Sequence, residues 1–141
     1  MIRVGSTITL EAWDMKYKPN QDWNHAWGAA PANLLPRHIL GVQPATAGWA
    51  AATIRPCPGT LEFARGKVPT PLGPVEIDWK KDPSFQLSLK LPTGMTATVE
   101  VPATDDSTGV WVNGKQVSAT RVSSGWALTE TVAGTVNIEV Q

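Results

Sequence analysis

Over most of this chain apolar and polar residues alternate one for one, in short runs broken by glycine, proline, asparagine and aspartate. Val75-Glu76-Ile77-Asp78-Trp79-Lys80 does so, as does Phe85-Gln86-Leu87-Ser88-Leu89-Lys90-Leu91. Ala97-Thr98-Val99-Glu100-Val101 and Val136-Asn137-Ile138-Glu139-Val140 follow the same rule. A period of two sends successive side chains to opposite faces, so each run predicts a strand with one buried and one wet face. Asn113-Gly114 predicts a hairpin over residues 110–117, because both residues tolerate the left-handed angles of a type I′ turn. Thr70-Pro71-Leu72-Gly73-Pro74 and Leu91-Pro92-Thr93-Gly94 read as further turns. About eight strands at this spacing predict a mainly β fold, an antiparallel, jelly-roll-like β-sandwich over residues 45–141.

Residues 1–44 obey a different pattern. The segment 24–40 predicts a short helical stretch, with Asp22 or Asn24 suited to cap its start and Gly41 suited to a left-handed position after its end. Pro31 and Pro36 either kink this stretch or divide it into two short helices. Ala26, Trp27, Ala29, Leu34, Leu35 and Ile39 are spread around nearly all of its sides, and Arg37 is its one permanent charge. A helix apolar all round is buried all round, and one sandwich offers it one face. The segment therefore predicts a larger helical body as its partner. Where that body is missing, it predicts self-association through residues 24–40.

Composition narrows the function classes. The 141 residues carry 12 basic and 12 acidic side chains, a net charge of zero. That balance leaves no electrostatic footprint for nucleic acid or an anionic membrane, so neither is an expected partner. Charged residues make up 17% of the chain, below the usual quarter, which implies that part of the surface is normally covered. No apolar run is long enough to cross a bilayer, and Met1-Ile2-Arg3-Val4-Gly5 lacks the pattern of a signal peptide. Cys57 is the single cysteine; it lacks metal-ligand spacing and reads as a small apolar filler in the turn Pro56-Cys57-Pro58-Gly59. No metal or cofactor is implied, and Asp105-Asp106 reads as a solvated turn. Trp79, Trp111 and Trp126 sit in strand-like runs and read as core, whereas Trp23 and Trp27 read as packing in the helical region. On the residues alone, Glu11 is an ordinary surface glutamate and His25 a helix-start histidine satisfied by the cap region. His38 reads as solvent-facing near the helix end.

Three blocks change this picture when taken together. Gly5-Ser6-Thr7-Ile8-Thr9-Leu10-Glu11-Ala12-Trp13-Asp14 resembles a segment of the bacterial α-L-rhamnosidases, glycoside hydrolase family 78. His25-Ala26-Trp27-Gly28-Ala29-Ala30-Pro31 is similar to the family's next run. Ile39-Leu40-Gly41-Val42-Gln43-Pro44, with Gly48-Trp49 and Ile54-Arg55-Pro56, is similar to its junction into a C-terminal domain. Ala47 and Trp49 depart mildly from the usual proline and phenylalanine there. The resemblance covers residues 5–56. It implies that residues 1–44 close an (α/α)6 barrel whose remainder lies outside this chain, and that residues 45–141 are the sandwich that follows it.

The resemblance also implies a chemistry: release of terminal α-L-rhamnose from a rhamnose-containing glycoside with inversion. Inversion requires one carboxyl group as acid and a second as base for the attacking water, about 6.5–9.5 Å apart. By resemblance Glu11 is the general base, His25 contacts the bound sugar and Trp13 lines the sugar pocket. The acid and most sugar contacts would come from the missing part of the barrel, so the isolated chain is expected to be inactive. A different class of function is also open, a stand-alone carbohydrate-binding sandwich, which would need exposed aromatic residues in a row on one face.

Overall fold

The structure is a computed structural model that describes residues 5, 10–12, 16–20, 25–104 and 106–141. The chain divides into two compact units, Met1–Leu35 and Pro36–Gln141.

The second unit is the sandwich. Its strands are β1 (Val42–Pro44), β2 (Ala51–Ile54), β3 (Phe63–Val68), β4 (Val75–Lys80), β5 (Gln86–Lys90) and β6 (Thr96–Val101). They continue with β7 (Val110–Val112), β8 (Lys115–Val117), β9 (Ala119–Val122), β10 (Gly125–Leu128), β11 (Val132–Ala133) and β12 (Thr135–Val140). One sheet runs β1-β2-β6-β10-β9, with β11 also paired to β6; the other runs β3-β4-β5-β12-β7-β8. The four alternating runs of the sequence are β4, β5, β6 and β12. The described residues hold twelve strands where about eight are expected, because β1, β2 and β7 to β11 are only two to four residues long. Apart from β7 and β8, which form the expected hairpin, such short pieces leave too few alternations to be read. The expected antiparallel order also has one exception, β2 pairing parallel to β6 with Ala52 opposite Ala97 and Ile54 opposite Val99.

Register turns alternation into a core. Ile77 stands opposite Leu89 and Leu89 opposite Val136, while Trp79 stands opposite Leu87 and Leu87 opposite Ile138. These side chains form continuous apolar rows on the inner face of their sheet, buried against Ala52, Ile54, Val99 and Val101 of the other. Trp79 is fully enclosed, as its position in an alternating run predicts. Its indole N–H donates to the carbonyl of Ile39 at 2.9 Å, which satisfies a buried polar group that would otherwise cost stability. Trp111 and Trp126 do not join it in full: both are only partly buried. Trp126 lies at the margin of the core, its indole N–H on the Ser107 hydroxyl and its ring under the Arg121 guanidinium.

The entry to the sandwich is fixed by backbone contact. Gly41 has φ of +78°, and a Cβ there would lie 2.1 Å from the carbonyl carbon of Arg55. Only glycine allows this approach, across which the Arg55 N–H donates to the Gly41 carbonyl and the Cys57 N–H to the His38 carbonyl. Cys57 is itself exposed, not an apolar filler; its turn holds it outward, with the thiol 3.8 Å from the Arg55 carbonyl. Asn113 and Gly114 both take positive φ, as the hairpin between β7 and β8 requires.

The expected helical stretch runs from Ala26 to Ile39, and it is divided into short pieces. A 3-10 turn (Ala26–Ala29) leads into α1 (Ala30–Leu34), and a wide turn (Leu35–Ile39) follows. Pro31 sits in the first turn of α1, where a missing N–H costs nothing, and Pro36 removes a donor just after its end. The candidate caps Asp22 and Asn24 lie outside the described residues, as do Trp23 and Asp105.

Candidate functional site

The first unit brings two of the three candidate residues together. Glu11 does not behave as a surface glutamate: its side chain is only 3% exposed. A buried carboxylate is stable only with partners, and the fold brings Lys18 and His25 beside it. Lys18 Nζ donates to Glu11 Oε1, and His25 Nδ1 lies 3.8 Å from the same oxygen. Lys18 keeps its charge near solvent, its side chain being 42% exposed, while its ammonium reaches inward to the carboxylate.

His25 stands at the head of the 3-10 turn but makes no side-chain capping bond there. Its ring faces Trp27, with centroids 3.7 Å apart and planes tilted by 38°. The indole holds one side of the imidazole while the edge bearing Nδ1 is turned toward Glu11. At 3.8 Å this is proximity, not a hydrogen bond. Trp13, the third candidate, lies outside the described residues.

Lys18 is a site residue that the sequence does not announce. It is seven positions from Glu11, a spacing of two helical turns, but residues 16–20 form turns and not a helix, in a stretch where a lysine is ordinarily solvated. His38 is exposed, as expected. Among the described residues no group of three or more His, Cys, Asp or Glu could hold a metal ion. The arrangement offers a shielded carboxylate with a cationic partner and a nearby aromatic-backed imidazole. That set can accept a proton from water and hydrogen-bond a polyhydroxylated ligand.

Comparison with known proteins covers the chain in two pieces. Residues 41–116 match the bacterial alpha-L-rhamnosidase C-terminal domain, and residues 1–39 match the bacterial alpha-L-rhamnosidase six-hairpin glycosidase domain. An alpha-L-rhamnosidase of Alteromonas sp. (strain LOR) is 30% identical over 113 residues, which is 72% of this chain and 12% of that protein. The crystal structure of Streptomyces avermitilis alpha-L-rhamnosidase complexed with L-rhamnose matches 99% of this chain with a TM-score of 0.79 at 29% identity, over 14% of its own length. The alpha-L-rhamnosidase of Dictyoglumus thermophilum has the same fold over the whole chain, with a TM-score of 0.81 at 23% identity and 17% of its length covered. The chain thus spans about one eighth of the curated relative it matches.

Proposed function

Because the chain belongs to the bacterial α-L-rhamnosidase family, as the match over residues 41–116 establishes, we propose that it supplies one part of an inverting α-L-rhamnosidase active site together with the sandwich that braces it. Glu11 is the general base, His25 contacts the rhamnose of a rhamnose-containing glycoside, and Trp13 lines the same pocket. In this reading residues 1–44 close the catalytic barrel and residues 45–141 form the accessory sandwich, with β1 (Val42–Pro44) as the strand that ties the closing segment into the sheet.

The observation that carries this reading is the enclosure of Glu11 between Lys18 and His25. A carboxylate set aside from bulk water is one that can deprotonate a single bound water without competition from solvent. An isolated ion pair at a domain surface would have no need of this shielding, and exposed pairs contribute little to stability. The acid on the opposite side of the sugar comes from the remaining barrel hairpins.

The same partner accounts for the apolar face of the first unit. Trp27 is 62% exposed, Leu34 50% and Leu35 55%. In the intact enzyme the other hairpins cover these side chains; in the isolated chain a second copy does.

The test is a chimera in which these 141 residues replace the matching C-terminal segment of the Streptomyces avermitilis enzyme. The chimera is expected to hydrolyse p-nitrophenyl α-L-rhamnoside, and Glu11→Gln to lower kcat by about 10²–10⁴-fold. His25→Ala is expected to raise KM more than it lowers kcat. A Glu11→Gln chimera as active as its parent would remove Glu11 from the mechanism.

A further inference from the structure

The outer face of the sheet β3-β4-β5-β12-β7-β8 carries a cross-strand row that neither the core nor the rhamnosidase reading uses. Strand register sets Phe63 opposite Lys80, Lys80 opposite Gln86, Gln86 opposite Glu139 and Glu139 opposite Trp111. All five point away from the core, since each alternates with an inward residue of its own strand. The row therefore has an aromatic ring at each end and hydrogen-bonding side chains between. Four strand spacings separate Phe63 from Trp111, about 19 Å.

Both rings are available to a ligand. Phe63 is 70% exposed, an unusual position for a phenylalanine. Trp111 is held down onto the sheet: its six-membered ring lies over Gly109, where a side chain would meet it at 3.4 Å. Between the rings is a shallow depression of about 280 Å³, floored by Leu87 and Ile138, to which the neighbouring row adds Asp78, Ser88 and Asn137.

We infer that this face is a binding site for a neutral oligosaccharide, with sugar rings stacked on Trp111 and Phe63 and hydroxyls hydrogen-bonded by the side chains between them. Aromatic faces take the C–H face of a pyranose, and amide, hydroxyl and carboxylate groups in a line both donate to and accept from vicinal hydroxyls. Across the outer face Arg65, Lys67, Lys80 and Lys90 stand against Glu76, Asp78 and Glu139, so its net charge is small and it exerts little pull on a polyanion. A peptide adding as a strand would use a sheet edge, not this face. The separation of the rings suits a short chain of sugars and not a monosaccharide.

Titration of the ¹⁵N-labelled 141-residue chain with cellohexaose, xylohexaose and arabinohexaose tests this, with L-rhamnose and an acidic rhamnogalacturonan fragment alongside. At least one neutral hexasaccharide is expected to shift the Trp111 indole N–H and the side-chain amides of Gln86 and Asn137. Phe63→Ala and Gln86→Ala, both at exposed or half-exposed positions, are expected to keep the unfolding midpoint and to weaken that binding by about threefold to tenfold each. Trp111→Ala is expected to abolish it. No shift with any neutral hexasaccharide, binding of the acidic fragment alone, or an affinity unchanged by Phe63→Ala and Gln86→Ala would each overturn the assignment. The site lies wholly within the second unit, so any of these results leaves the role of Glu11 to the chimera.

Discussion

Trp79 shows how one residue can join two parts of a fold. Its ring fills the core beside Phe85 while its indole N–H meets the Ile39 carbonyl. Trp79→Phe removes both volume and a donor, leaving a buried carbonyl unpaired. The variant is expected to lose about 2–4 kcal/mol, read as a lower urea midpoint at unchanged slope. Glu76 is a surface counterpart. Hydrogen bonds from Lys67 and then Lys90 hold its carboxyl below the ordinary value of 4.5. A lowered folded value means stabilisation that is present above the unfolded value and fades as pH falls through the folded one. Glu76→Gln is therefore expected to be slightly less stable than the parent at neutral pH. Thermal midpoints measured from pH 7 downward should converge through the carboxylate range.

At the scale of elements, strands and the helical stretch differ in what completes them. The long strands β4, β5, β6 and β12 find partners on both edges and an apolar sheet opposite their inner face, while β3 closes one edge of its sheet. The pieces from Ala26 to Leu35 bury little of their own surface: of the described residues in that span, Gly28 alone is buried. An apolar face of this kind in water favours association. Sedimentation of the isolated chain at micromolar concentration is expected to show dimers or larger species, and Leu34→Asp combined with Leu35→Asp to return it to monomer. A parent chain that sediments as monomer would argue against residues 24–40 as a contact surface.

For the whole molecule, the proposed chemistry needs two carboxyl groups on opposite sides of one sugar, and the first unit encloses one of them. A half-site lacks contacts that stabilise the transition state and cannot exclude water around it. The 141-residue chain by itself is expected to release no p-nitrophenol from p-nitrophenyl α-L-rhamnoside above the uncatalysed rate, under conditions in which the chimera is active. Turnover by the pure chain would mean that a complete site exists within these residues.

Period-two alternation was enough to determine β4, β5, β6 and β12 and their buried faces, because each side chain's direction follows from its place in the run. By contrast β3, with Ala64 and Gly66 on its inner face, shows no such contrast of apolar and polar positions. Asn113-Gly114 determined the hairpin, since few other pairs tolerate two positive φ angles. The short strands β1, β2, β9 and β11 were not legible, nor was the parallel pairing of β2 with β6, because both depend on which segments meet after distant loops close. The motif around Glu11 marked the residue but not its setting. Its enclosure, the approach of His25 and the reach of Lys18 across seven positions are products of packing between turns, not of a repeat within one helix or strand. Outward polar positions likewise look alike along the chain. Only strand register aligns Phe63, Gln86 and Trp111 into one row, since which strands lie side by side is decided by the fold and not by any one segment.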